Sequence, residues 1–281
     1  MFGPFILALP TPFREDGTID YDVVDLLVQK AEKDGHDALV IAGSTGEGHA
    51  LSLEEKKALF HHIQGKTTLP LLYAISQNNL SLLKSEIEMI EKENPNGYLI
   101  STPYYQRPPQ RGVYLFFKEV ASYTKKPIIL YHVPSRTGCA LSFSTMRKLI
   151  HQCPNLIGMK DASGDVSLIQ LLKKNMPTFL CYSGCDEQFY ASLKAGADGI
   201  ISVMSILYLD EMRELYQHFK EGYHHVLLDD YLHLVAQLLS LESNPIPIKY
   251  LLKKQGYRSM YLSLPLSELS LENKKQIDML L

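Results

Sequence analysis

Short apolar runs recur along the chain, and each gives way to a stretch with helical spacing. The runs occupy residues 5–8, 38–43, 70–75, 97–102, 127–133, 156–162, 179–184 and 199–205. They are almost continuously apolar and rich in β-branched and aromatic residues, as strands buried on both faces of a parallel sheet must be. Between them the period changes. Residues 21–33 place Val24, Leu27, Val28 and Ala31 on one helical face. Ser52-Leu53-Glu54-Glu55 has the spacing of a capping box opening the second helix. Stretches 80–92, 111–124, 144–152, 165–174, 187–195 and 207–220 complete the set. Eight alternations of strand and helix predict an α/β fold, a (β/α)8 TIM barrel, over residues 1–222. A doubly wound open sheet is the alternative, but it rarely carries eight such units. Strand signals stop after Gly222. Residues 223–241 read as helical, Asn244-Pro245-Ile246-Pro247 breaks the chain and can open another helix, and a last helix is expected over 267–281. Residues 223–281 are therefore expected to form a small C-terminal helical appendage, covering one side of the barrel or building an oligomer contact.

Composition narrows the function classes. The 281 residues carry a formal net charge of −3, with 46% hydrophobic and 21% charged residues. That length supports one large core, and the balance gives no reason to expect nucleic acid or an anionic membrane as partner. The lead MFGPFILALPTPF has no basic residues, and its apolar run is short for a signal peptide or a membrane span. A cytoplasmic location is the expectation. The four cysteines, Cys139, Cys153, Cys181 and Cys185, form no disulfide framework and lack partners for a zinc site. They are expected as free, mostly buried thiols. The basic pairs Lys125-Lys126 and Lys173-Lys174 are expected on solvated helix ends. The ten histidines show no metal-ligand spacing, and His61-His62 and His224-His225 read as solvated pairs. No metal and no organic cofactor are expected, and no P-loop, dinucleotide fingerprint or nucleophile elbow occurs.

In such a barrel the chemistry sits at the C-terminal ends of the strands, which selects a short list of residues. The second run ends in Gly43-Ser44-Thr45-Gly46, a loop able to present backbone N–H groups and two hydroxyls to a small anion, or simply a tight strand-to-helix connection. The fourth delivers Tyr104 and Tyr105, the fifth Tyr131, His132 and Arg136, and the sixth Lys160. Burying Lys160 at the end of an apolar strand would lower its pKa and free an amine to attack a carbonyl. A lysine paired with a neighbour, or one lifting its head to solvent, fits the same position. Tyr131 can shuttle a proton if a partner such as Ser44 supports it, or it can be a core aromatic with a satisfied hydroxyl. The fork of Arg136 suits a carboxylate, although most arginines are simply exposed.

Taken together, LPTPF, GSTGEG, TPYYQRP, LYHVPSRTG, GMKDASGD, YSGCDEQF, AGADGIISV and NPIPIKY resemble the dihydrodipicolinate synthase / N-acetylneuraminate lyase family of lysine-dependent class I pyruvate aldolases, over nearly the whole chain. The resemblance implies that Lys160 forms the Schiff base with pyruvate and that Tyr131, Ser44 and Tyr105 relay protons. Ser44 stands where the synthase branch usually has threonine, and Tyr105 is expected to reach a neighbouring subunit's site. Thr45 is implied in gripping the pyruvate carboxylate, with Gly184 and Ile201 lining the site. A homotetramer built as a dimer of dimers is implied as well. GSTGE and SGD lean toward the lyase branch, VPSRTG toward the synthase branch. In the latter Arg136 binds the carboxylate of aspartate semialdehyde, the second substrate beside pyruvate, in lysine/diaminopimelate biosynthesis. That arginine favours the synthase branch, with the lyase or another 2-keto-acid aldolase as the alternative. A barrel that binds a keto acid without turning it over is a third reading, which fold alone does not exclude. His132 departs from the asparagine common in the synthase. Asn78 and Tyr104 match the site where lysine inhibits many relatives, but Leu82 replaces a lysine-binding glutamate and Lys56 a histidine. Losing an anion and gaining a cation predicts weak inhibition by lysine, or none.

Overall fold

A computed structural model describes residues 2–281. Its centre is a closed barrel of eight parallel strands in chain order. They are β1 (Phe5–Ala8), β2 (Ala38–Ile41), β3 (Leu71–Ile75), β4 (Gly97–Ser101), β5 (Ile128–His132), β6 (Leu156–Asp161), β7 (Leu180–Ser183) and β8 (Gly199–Ser202). β8 pairs with β1, with Ile6 opposite Ile201, so no sheet edge is left open. All eight apolar runs are strands, and most strands stop short of the run's end. The excess at the C-terminal ends forms the loops that carry the polar residues discussed below.

The outer helices are α1 (Tyr21–Asp34), α2 (Leu53–Gln64), α3 (Leu80–Glu91), α4 (Gln110–Ser122), the single turn α5 (Pro134–Thr137), α6 (Phe143–Gln152), α7 (Ser167–Asn175), α8 (Phe189–Lys194) and α9 (Ser205–Lys220). The capping box is formed: Ser52 Oγ accepts the Glu55 N–H, while the Glu55 carboxylate accepts the Ser52 N–H at 2.8 Å. α7 starts later than its sequence pattern, because the Asp165 side chain accepts the Ser167 N–H and hydroxyl and turns the chain first. Ahead of α8 lies a 3₁₀ turn, Asp186–Gln188. Lys173 is not solvated as expected. Its ammonium bonds both Asp198 oxygens at 2.9 Å, and Asp198 in turn accepts the Cys181 N–H, so α7 is tied to the start of β7.

Strand alternation separates two apolar layers. Ile6, Ala8, Val40, Leu72, Ala74, Leu99, Ile129 and Ile201 fill the barrel interior. The larger layer lies between strands and helices and runs on into the C-terminal helices through Leu232, Val235, Ile248 and Leu252. Those helices are α10 (Val226–Leu239), α11 (Ile246–Lys254) and α12 (Leu271–Leu280). Cys139, Cys153 and Cys181 are buried free thiols, and Cys185 is half-buried. No helix among the described residues is long and apolar enough to cross a membrane.

Candidate active site

Register brings Lys160 and Tyr131 together. On adjacent strands β5 and β6, Tyr131 lies opposite Lys160 and His132 opposite Asp161. Alternation then sends the two pairs to opposite faces. His132 and Asp161 take the outer side, where both are buried. His132 Nε2 accepts the Leu141 N–H at 3.1 Å, so its Nδ1 carries the proton donated to Asp161 at 3.0 Å. The neutral ring thereby anchors the segment after α5, which accounts locally for a histidine at this position.

Lys160 is 7% exposed, and burial lowers its pKa to about 8, with Asp186 working to raise it and Arg136 to lower it further. A lysine with that pKa is about one-tenth neutral at pH 7, several hundred times more than a free one. Its Nζ lies 4.7 Å from the centre of the Tyr131 ring. Gly184 is required beside it: a Cβ there would stand 2.7 Å from Lys160 Cε and 2.9 Å from Cγ. Burial raises the Tyr131 pKa, opposed by the charge of Arg136 and by the nearby Ser44 hydroxyl. The phenol therefore stays protonated at neutral pH and can act as a donor.

The loop after β2 is shaped by close approaches. Ala42 and Glu47 take positive φ of 58° and 50°, and a Cβ on Gly48 would lie 1.9 Å from the Ala42 carbonyl oxygen. The Thr11 hydroxyl donates to the Gly46 carbonyl at 2.7 Å. Ser44 and Thr45 are thus turned toward the barrel mouth, and among the described residues neither of their N–H groups has an acceptor. Asn244, just before α11, donates to Thr45 Oγ1 at 2.9 Å. Glu47 points the other way, into a buried ion pair with Lys249 of α11, and its second oxygen accepts the Ser263 N–H at 2.8 Å. The C-terminal segment therefore holds the loop from two sides.

Around these groups lies a cavity of about 290 Å³, lined by Ser44, Thr45, Tyr131, Arg136, Lys160, Gly184, Asp186 and Asn244, with Ile201 buried in its wall. Arg136, on α5 at the rim, is exposed and donates to the Asn244 carbonyl at 3.2 Å. Among the lining residues that the sequence reading did not single out are Asp186, Cys185 and Asn244. Asp186 follows β7, where a strand-end rule would find it; it accepts from Ser202 Oγ and the Met204 N–H, and burial raises its pKa. Cys185 is pushed up to about 11 by burial and its acidic neighbours, so it remains a thiol. Asn244 comes from the helical tail and carries no strand-end signal.

Tyr105 is not brought into this cavity. It is 90% exposed, at a positive φ of 68°, and its N–H is held by the Thr137 carbonyl at 3.1 Å. A second cavity, about 520 Å³, shares Ser44, Tyr131 and Arg136 with the first and extends past His49, Lys56 and Tyr104. On that side Asn78 and Tyr104 exchange side-chain-to-backbone hydrogen bonds at 2.8 and 3.0 Å, and the Lys56 ammonium pairs with Glu86 at 3.2 Å.

Comparison with known proteins gives a consistent result. The model of the dihydrodipicolinate synthetase family matches residues 1–281. The 4-hydroxy-tetrahydrodipicolinate synthase of Dehalococcoides mccartyi (strain ATCC BAA-2266 / KCTC 15142 / 195) is 36% identical, the match covering 95% of this chain and 91% of the relative. The Bacillus subtilis (strain 168) protein of the same name is 33% identical over 96% and 94% of the two chains. Among solved structures, the Cyanidioschyzon merolae enzyme with lysine bound superposes with a TM-score of 0.95 at 29% identity, over 99% of this chain and 97% of the other. The dihydrodipicolinate synthase of Aquifex aeolicus gives 0.94 at 31% identity, over 99% and 96%.

Proposed function

The chain belongs to the dihydrodipicolinate synthetase family, and on that premise we propose that it acts as a 4-hydroxy-tetrahydrodipicolinate synthase, condensing pyruvate with aspartate semialdehyde. The observation that carries the proposal is a buried, unclamped Lys160 amine facing a cavity that also holds Tyr131, the Ser44-Thr45 loop and, at its rim, Arg136.

Neutral Lys160 Nζ attacks the keto carbon of pyruvate, and a proton from the Tyr131–Ser44 relay lets the hydroxyl leave as water, so that a protonated imine remains and the relay can take back the proton lost from the pyruvate methyl group in the next step. The free N–H groups of Ser44 and Thr45 receive the pyruvate carboxylate. Proton loss from the pyruvate methyl group gives the enamine, whose carbon adds to the aldehyde of aspartate semialdehyde, while the new alkoxide takes a proton from the Tyr131–Ser44 relay. The substrate's own amine then attacks the imine carbon and displaces Lys160, closing the ring and restoring the enzyme. The protonated imine is the electron sink, so the scheme needs no metal or organic cofactor. Arg136 meets the second carboxylate at the mouth with a bidentate fork. Tyr105, directed away from its own cavity, serves the site of a neighbouring copy in a homotetramer, and the setting is the cytoplasm.

The test is product formation from the two substrates by mass detection, in the native protein and in Arg136→Ala. The proposal expects turnover by the native protein and a fall of at least about a hundredfold in kcat/KM for aspartate semialdehyde in the variant, the scale of a lost charged hydrogen-bond pair. Pyruvate imine formation should survive. A protein that ignores aspartate semialdehyde but cleaves N-acetylneuraminate, with Arg136→Ala unaffected, would contradict it.

A further inference from the structure

Far from the barrel mouth, α9 and α10 form a hairpin through residues 221–225. α9 starts at the catalytic end of β8 and runs back along the barrel, so its last turns lie roughly 20 Å from that end, at about 1.5 Å per residue. Glu214 and His218 are one turn apart there and share a helix face. His225 is the N-cap of α10, and its Nδ1 accepts the Leu228 N–H at 3.2 Å, which puts the ring proton on Nε2; ligation of a metal by this ring therefore replaces the cap bond and, through Nε2, moves the proton to Nδ1. One ligand atom each of Glu214, His218 and His225 lies within 4.8 Å of the other two. The two imidazoles stack with centres 5.3 Å apart, and Tyr223 packs edge-on against both. Nδ1 of His218 is buried and has no hydrogen-bond partner among the described residues. The adjacent His224 is engaged elsewhere, stacked on Tyr190 at 3.9 Å and bonded to Asp229 at 2.8 Å.

We propose that Glu214, His218 and His225 bind a divalent metal of the zinc class, with water in the fourth position. Two imidazole nitrogens and one carboxylate oxygen suit that ion. Bonds of about 2.1 Å at tetrahedral angles place ligand atoms about 3.4 Å apart, so the three groups, which lie within 4.8 Å of one another, close in around the ion, the exposed Glu214 side chain among them. The set is hidden in the sequence because its members come from two helices and one is a carboxylate. The site is remote from the barrel mouth. The metal would join the end of α9 to the first turn of α10. α10 in turn holds the 3₁₀ turn beside the active site, through His233 and the Glu187 carbonyl at 3.0 Å, and lines the cavity with Ala236 and Leu239.

The experiment is titration of the chelator-stripped full chain with Co²⁺, read by visible absorption, and with Zn²⁺, read by calorimetry and thermal unfolding. One saturable equivalent, the absorption of four-coordinate Co²⁺ and a Zn²⁺-dependent rise in Tm are expected. His218→Ala should lose all three. His225→Asn keeps a capping side chain, removes the imidazole, and should lose them too. Absence of saturable binding, or equal affinity in both variants, would overturn the proposal.

Discussion

Two lysines are buried among the described residues, Lys160 at the barrel mouth and Lys249 under the loop that follows β2, and burial pushes both down to about 8. Their surroundings differ. Lys249 is bonded to the Glu47 carboxylate and to the Tyr261 carbonyl at 2.8 Å, and it lies 4.5 Å from the Phe13 ring centre. Its donors are spent on holding two segments together. No hydrogen bond holds Lys160 among the described residues, and its Nζ opens onto the cavity. A depressed pKa therefore marks burial in both places; a nucleophile also needs a free lone pair and room for a substrate.

Breaking the contrast at its sharpest point, Lys160→Ala should lower kcat by about a thousandfold or more, the scale at which nucleophile deletions act, with the unfolding midpoint nearly unchanged. Full activity in that variant would end the comparison. Lys249→Met should do the reverse. It strands the Glu47 carboxylate and should cost about 3–5 kcal/mol of stability, measured by urea unfolding, while imine formation on Lys160 persists in the folded fraction. Pairing it with Glu47→Gln should recover part of the loss. Gly184→Ala refines the account of how Lys160 is aimed. The added Cβ displaces the lysine stem, so kcat should fall by about tenfold or more while stability changes by only about 1–3 kcal/mol. The smallest expected effect is a null titration. Lys56 is tied to Glu86, and Leu82 is exposed and offers no charge to a ligand, so steady-state rates should stay flat as lysine is added. Micromolar inhibition would contradict that reading.

The barrel was legible because a strand buried on both faces writes a continuous apolar run, and eight such runs have few other uses. Lys160, Tyr131, Ser44, Thr45 and Arg136 were legible for a related reason: polar groups at strand ends stand out against those runs. What stayed hidden is long-range. Nothing local pairs Glu47 with Lys249, Thr45 with Asn244, or Lys173 with Asp198; the chain must close first. Glu214, His218 and His225 are hidden in the same way. Tyr105 is a different case: its ring is 90% exposed, and no contact among the described residues brings it to the cavity.

The most direct measurement is trapping of the pyruvate imine with borohydride, followed by peptide mapping. The account predicts one reduced pyruvate adduct, on Lys160 and not on Lys249. Because only the neutral amine attacks, its formation rate should climb by about tenfold from pH 6 to pH 7 and level off above about 8. An adduct on Lys249, or none in the folded protein, would contradict the claim that access and freedom from partners, rather than burial alone, make Lys160 the nucleophile.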